Sequence, residues 1–477
     1  MKRVAYVSTD PGVPVFGSKG ASVHVQAVVR ELLRRGTEVH LVATRLGGDL
    51  PRGLQGVVVH ELPRITGTPG REREESARRS ARAAADVLAR VHSDTPLDLV
   101  MERYSLWSDA AMTWARAFDV PGVLEVNSPL VDEQAQHRVL ADRVGAEAMA
   151  RRAFDAADSV IAVSEPVARW VLDRTDNRNV TVVPNGVDTR YIRPGLEGRP
   201  QAASHLDQRG EPRAASHLDQ RGEPRAASHL DQRGEPRAAS HLDQRGEPRA
   251  ASHLDQRGEP WAVSHLDQRG EPRAVSHLDQ RTPFVIGFVG TLKPWHGVEV
   301  LVEAFARLAR TDDGTRLRLV GDGPQRVAIA AQAERLGVAD RVDLVGTVAP
   351  ERMPEELARM DLAVAPYPQL PDFYFSPLKL YEYLAAGLPV VASDIGPVGE
   401  VLDGGHLGLL VTPGDMTELA AALAGLRSDD ALRAELGDLG RRAAVSRHDW
   451  SLVVSRILTT VPVRPPSLAD DLLGRSA

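Results

Sequence analysis

The chain has no cysteine among its 477 residues. That excludes a disulfide framework and any thiolate metal site. It has no apolar run near the roughly 20 residues that a membrane-spanning helix needs. Its opening, Met1-Lys2-Arg3 followed by Val4 to Val7, is too short an apolar stretch for a signal peptide. A cytoplasmic protein is expected, with peripheral contact at the inner face of a membrane left open. Positive charge is not in excess either: the formal net charge is −7 and the pI is near 6.1. A nucleic-acid partner held by bulk charge is therefore not expected. There is no G-x-G-x-x-G after an expected strand and no Asp-x-Asp at a strand end. Neither a nicotinamide site nor a metal held by paired aspartates is expected.

The residues that are present spell out alternating strands and helices. Val4–Ser8 reads as a buried strand, and a glycine-bearing loop with Gly17, Lys19, Gly20 and Ser22 follows it. A helix is expected over 23–35, closed by Gly36, and then a strand at Val39–Ala43. Strand, glycine-bearing turn, helix and strand open a doubly wound α/β domain. Residues 71–91 are rich in alanine and charge. Their arginines could touch anionic lipid, but interleaved Glu72, Glu74, Glu75 and Asp86 favour a solvated helix face. Further strands are expected at Leu97–Met101, Gly122–Val126, Ser159–Val163 and Val180–Val183. Polar residues just past strand ends in such a sheet lie where ligands bind, which singles out Glu102, Arg103 and Asn127. The same residues could equally tie down turns.

A second α/β region begins at Phe284–Val289, with the turn Gly290-Thr291-Leu292-Lys293-Pro294-Trp295-His296-Gly297 and an amphipathic helix behind it. Strands are expected at Leu317–Val320, ending in Gly321-Asp322-Gly323, then at Val342–Val345, ending in Gly346-Thr347. Two more are expected at Leu362–Ala365 and Gly408–Val411. The most informative stretch is Tyr374–Asp394. Ser376 suits an N-cap, Pro377 the first helical position and Gly387 the stop. A strand at Leu388–Ala392 follows. Lys379 and Glu382 stand three apart, on one face near the helix N-terminus. Free N–H groups there suit a phosphate, and a carboxylate suits ribose hydroxyls. Taken alone, the pair could be a surface contact worth about 0.2–0.5 kcal/mol.

Between the two regions, residues 201–283 repeat R-A-A-S-H-L-D-Q-R-G-E-P almost without change. Each copy carries one leucine and a few alanines, too little apolar surface to offset ordering, so disorder is expected. One histidine per copy gives no chelating pair within a copy. The array reads as a passenger insertion.

Pro184-Asn185-Gly186-Val187-Asp188, Val320-Gly321-Asp322-Gly323-Pro324, Glu382 with Ala385-Ala386-Gly387-Leu388-Pro389-Val390-Val391-Ala392, and Gly408-Leu409-Leu410-Val411 with Pro413-Gly414-Asp415 occur in this order. Over about residues 1–195 and 284–462 the chain resembles the retaining glycosyltransferases of family 4. The resemblance implies the GT-B fold: two Rossmann-like domains facing across a cleft, here with the array between them. It implies an N-terminal acceptor domain (1–195, joined by a C-terminal helix at about 450–465) and a C-terminal nucleotide-sugar domain (284–449). Residues 466–477 are expected to form a flexible tail.

The resemblance also implies residue roles. Glu382 would hold the donor ribose. The loop with Gly290, Thr291 and His296 would meet the diphosphate. In the family that loop carries an arginine and a lysine, where this chain has Thr291 and His296. Lys293 and Lys379 are expected to supply the missing charge. Gly321, Gly323, Val345, Thr347, Ser376, Pro377 and Leu378 complete the donor side, with the base held through backbone near Val345–Thr347. The family's second glutamate is replaced by Tyr374. Its N-domain histidine is absent, and Asn127 or Glu125 would take that place near the sugar. Gly17, Lys19, Gly20, Ser22, Glu102, Arg103 and Glu125 are assigned to the acceptor and phosphate loops.

The expected activity is metal-independent, retaining transfer of a hexose-type sugar to a glycan, lipid-linked or small-molecule acceptor. No cofactor is expected beyond the nucleoside diphosphate sugar itself. The alternatives are a nucleotide-sugar 2-epimerase of the same fold and a non-catalytic sugar-nucleotide binder with a repeat interaction segment.

Overall fold

The structure is a computed structural model that describes residues 1–195, 253–254, 260–261 and 283–462. Nearly all of the repeat array and the expected flexible tail lie outside the described residues.

The first sheet has seven parallel strands: β1 (Arg3–Ser8), β2 (Glu38–Ala43), β3 (Val58–Glu61), β4 (Leu99–Arg103), β5 (Gly122–Val126), β6 (Ser159–Ala162) and β7 (Val180–Val182). Their order is β3-β2-β1-β4-β5-β6-β7. Valine-rich strands buried on both faces favour parallel pairing under helices. The helices are α1 (Gly20–Arg34), α2 (Arg71–Asp94), α3 (Ala110–Ala117), α4 (Leu130–His137), α5 (Arg143–Ala156) and α6 (Glu165–Leu172). Strand order reverses between β1 and β4, so their carboxyl ends frame a crevice. Within the array, β8 (His253–Leu254) pairs antiparallel with β9 (Pro260–Trp261).

The second sheet has six parallel strands: β10 (Phe284–Val289), β11 (Thr315–Val320), β12 (Val342–Gly346), β13 (Leu362–Ala365), β14 (Val390–Ser393) and β15 (Leu409–Val411). The order β12-β11-β10-β13-β14-β15 places its crevice between β10 and β13. Its helices are α7 (Val298–Leu308), α8 (Arg326–Arg335), α9 (Met353–Ala358), α10 (Leu378–Ala385), α11 (Val398–Val401), α12 (Met416–Ser428) and α13 (Asp430–Ala443).

The last described helix, α14 (Trp450–Thr459), returns to the first domain. Its Trp450, Val453, Val454 and Ile457 share a core with Tyr6, Val28, Leu41, Ile161 and Val183. Asp449 caps it. One carboxylate oxygen accepts from Ser451 N–H at 2.9 Å and Ser451 Oγ at 2.5 Å. The other accepts from Thr189 N–H at 3.1 Å and Thr189 Oγ1 at 2.6 Å. The linker and the return segment thus run side by side, and Val187 N–H donates to His448 O at 2.9 Å.

Two local expectations change. Ser376 is not the N-cap of α10. Pro377 occupies that place and no side chain caps the helix. The strand after Gly387 spans Val390–Ser393, because Gly387 at φ +65° and Pro389 spend the first residues on the turn.

Candidate active site

The donor-side loops converge at the carboxyl edge of the second sheet. Gly290 leaves β10 at φ +148° and its N–H donates to Val320 O at 2.9 Å. A Cβ on Gly321 would stand 1.9 Å from Gly290 O, so the loops after β10 and β11 meet backbone to backbone. Gly321 N–H in turn donates to Gly346 O at 2.9 Å, next to exposed Thr347 and half-buried Val345.

Lys379 projects from the first turn of α10 into this corner. It is 8% exposed, and its ammonium has no hydrogen-bond partner. It lies 4.1 Å from the Phe288 ring centre, and a Cβ on Gly290 would stand 2.9 Å from it. Burial lowers the Lys379 ammonium to about 7, with Glu382 pulling the other way. Burial raises the half-buried Glu382 carboxyl to about 7, opposed by Lys379. An unpaired buried ammonium beside a carboxyl on one helix face is poised to gain from an anion.

The rest of the loop departs from the expected charges. The His296 Nδ1–H donates to Thr291 O, which leaves Nε2 as a lone pair. Burial, Lys379 and Lys293 together lower the imidazole to about 3, so it is neutral. His296 therefore supplies no positive charge in the place of a lysine. The Lys293 ammonium sits 4.6 Å from the ring centre of Trp295, which is 40% exposed. Thr291 is exposed.

The segment leading into α10 reaches the first domain. Ser376, 8% exposed, accepts from Asn185 N–H through Oγ at 3.1 Å and from Asn185 Nδ2 through its carbonyl at 2.8 Å. The Ser164 hydroxyl donates to Tyr374 O at 2.8 Å, and the Tyr374 hydroxyl donates to Glu133. The tyrosine that stands in the place of the second glutamate thus closes onto α4. Leu378 packs into the first domain's core, and a Cβ on Gly20 would lie 3.3 Å from its Cδ1. Pro377 is buried between them in sequence.

The first-domain residues divide. Half-buried Asn127 follows β5 at the edge that carries Ser164. Gly17 accepts from Gln26 Nε2 at 2.8 Å, Lys19 is exposed, and Ser22 is buried with an unpartnered hydroxyl. Arg103 is half-buried with one guanidinium nitrogen unpartnered. Two expected site residues point inward. Glu125 is 2% exposed, and its oxygens are taken by Tyr6 and His24 at 2.5 and 3.1 Å. Each of its oxygens already has a partner inside the first domain. Glu102 is fully buried against Ser108, and burial raises it to about 7. His24 was not singled out in the sequence, where it looks like any residue of an amphipathic helix. Asn185 was named there only within the Pro184–Asp188 motif that carries the family resemblance.

Comparison with known proteins bears on the family and the fold. Residues 18–191 match the family described as Glycosyltransferase Family 4, and residues 283–429 match Glycosyl transferases group 1. The chain belongs to glycosyltransferase family 4. This family 4 chain is 40% identical over 149 residues to an exopolysaccharide phosphotransferase of Streptomyces coelicolor, covering 31% of the chain and 15% of that protein. It is 34% identical over 166 residues to a phosphatidyl-myo-inositol mannosyltransferase of Mycobacterium leprae, covering 35% of the chain and 42% of that protein. The matched stretches span less than half of each relative's length. Among solved structures, a sucrose-phosphate synthase from Thermosynechococcus elongatus superposes with a TM-score of 0.63 at 17% identity, covering 100% of both chains. The Anabaena protein HepE, solved with UDP and glucose, gives 0.59 at 19%, covering 96% of this chain and 99% of that one. These likenesses show the GT-B fold. No helix among the described residues is long and apolar enough to cross a membrane.

Proposed function

We propose that the chain is a metal-independent, retaining glycosyltransferase. It takes a hexose-type sugar from a nucleoside diphosphate sugar held by the second domain. It passes the sugar to a glycan, lipid-linked or small-molecule acceptor at the first. The observation that carries this reading is the Lys379 ammonium, buried without a partner at the start of α10 and against Gly290. As the sugar C1–O bond breaks, negative charge grows on the diphosphate. A fixed cation and the free N–H groups of a helix start stabilise such charge without reorganising. Glu382, one turn further along the same face, is placed for the ribose hydroxyls. The HepE complexes with UDP and with glucose support a donor of this class.

Retention in this fold corresponds to same-face displacement, with a diphosphate oxygen taking the acceptor's proton.

The test is a thermal-shift screen against UDP-, GDP-, ADP- and dTDP-sugars, then transfer assays with the stabilising donor in excess chelator. A donor that stabilises the wild type but not Glu382→Ala is expected. Conversion of that donor to its epimer with no acceptor present would overturn the transfer reading in favour of a 2-epimerase.

A further inference from the structure

A continuous set of hydrogen bonds crosses from the first domain to the segment that launches α10. Tyr6 Oη donates to Glu125 Oε2 at 2.5 Å. Glu125 Oε1 lies 3.1 Å from His24 Nε2, and His24 Nδ1 lies 2.8 Å from Asn185 Oδ1. Asn185 Nδ2 donates to Ser376 O at 2.8 Å, and Ser376 Oγ meets Tyr381 Oη at 2.9 Å. Side chains from β1, β5, α1, the segment after β7 and α10 take part, and every contact but that between Ser376 and Tyr381 joins residues 101 to 191 positions apart.

The donor and acceptor roles along this chain are forced. Ser376 O can only accept, so the Asn185 amide nitrogen faces it and Oδ1 faces His24. His24 Nδ1 must therefore donate. On the other side, burial would raise the Glu125 carboxyl, but His24, Tyr6 and Arg103 outweigh it and hold the group below the ordinary carboxylate range. Both ring nitrogens are engaged, one by Glu125 and one by Asn185. The ring's edge packs on Trp450 at 5.1 Å between ring centres, which fixes its plane.

The geometry points to His24 as a positioning residue that sets the start of α10 against the first domain, acting through Asn185 and Ser376. The idea rests on the transferase reading for its consequence in turnover. Ser376 lies three residues before Lys379 and six before Glu382. The tie therefore governs how the pair faces the acceptor side, while the loops that meet the nucleotide belong to the second domain alone. The group that His24 holds, Asn185, is itself bound twice to Ser376 in the segment that launches α10.

The experiment compares His24→Phe, Asn185→Ala, the double variant and Asn185→Asp in the full-length chain. Three quantities are read: kcat, nucleotide affinity by calorimetry with the diphosphate chosen by the donor screen, and amide exchange by mass spectrometry. Each single variant is expected to lower kcat at least about tenfold with nucleotide affinity held within about threefold, and the double is expected to be no worse than the poorer single. Exchange over 374–381 is expected to rise about tenfold or more, while β10 and α7 stay protected.

Unchanged exchange over 374–381 in both singles would overturn the inference. So would additive losses, or a nucleotide affinity that falls in step with kcat. Should His24→Phe not fold, Asn185→Asp decides. It keeps the acceptor for His24 but turns an oxygen toward Ser376 O, and it is held to the same three measures. Should the wild type bind nucleotide and transfer nothing, the transferase reading falls, and the exchange result alone decides the tie.

Discussion

Lys379 and Glu382 set the chemistry of the donor corner at the scale of single residues. Burial leaves both near 7, so each is easily shifted by a ligand. A diphosphate favours the charged ammonium, so binding above about pH 7 takes up a proton. Affinity for a nucleoside diphosphate is expected to fall as pH rises from 7 to 9, at most about tenfold per unit. Ribose hydroxyls favour the ionised carboxylate, so affinity also falls on the acid side of 7. Lys379→Met should weaken binding and flatten the alkaline limb in calorimetry between pH 6 and 9.

A second expectation ranks the cations. Lys379→Met should cost about 10²-fold in kcat, on the scale of losing one fixed donor at a developing anion. Lys293→Ala should cost less than about tenfold, since that ammonium rests on an exposed ring. Equal losses in a steady-state assay would refute the ranking.

The pair itself was legible, because three-residue spacing on a helix determines which side chains share a face. His24 and the true partners of Ser376 and Glu125 were not. Their contacts join residues more than a hundred positions apart, and no local period records them.

At the scale of elements, most strands stand where the apolar runs put them, and Gly122–Val126, Phe284–Val289 and Leu362–Ala365 match the expected bounds. β11 begins two residues earlier than expected. Arg316 and Arg318 interrupt the apolar run, but Arg318 is taken into the sheet by Glu356, which accepts two of its N–H groups at 2.9 and 2.7 Å. A charge that carries its partner with it does not break a strand.

Asp449 makes the clearest element-scale prediction. Burial would raise its carboxyl, but the Ser451 and Thr189 hydrogen bonds prevail and hold it below the ordinary value. A depressed folded value means the stabilisation is present above the unfolded value of 3.8 and is lost as pH falls through the folded one. Asp449→Asn would turn an amide nitrogen toward a backbone N–H, of Thr189 or of Ser451, that can only donate. We expect it to cost about 1–3 kcal/mol at pH 7, a fall of a few degrees in Tm, and to flatten the acid limb of Tm against pH. An unchanged Tm at neutral pH would show that the cap and the linker tie carry no stability.

At the scale of the whole molecule, the repeat array is the natural target for removal. Lengthening a linker roughly tenfold costs on the order of 2 kcal/mol by loop-closure scaling. Replacing residues 201–283 by a short Gly/Ser linker is expected to leave kcat unchanged and Tm unchanged or slightly higher. Lost turnover in the shortened chain would give the array a role of its own.

The return of α14 to the first domain has a consequence for how the protein is made. Trp450, Val453, Val454 and Ile457 cover a face built from Tyr6, Leu41, Ile161 and Val183. At roughly 5–20 residues per second, a ribosome needs on the order of 15–55 s to travel from Val183 to Ile457. For that interval the nascent chain carries an open apolar face, and translation of the array lengthens the wait. The domain that is synthesised first is the one completed last.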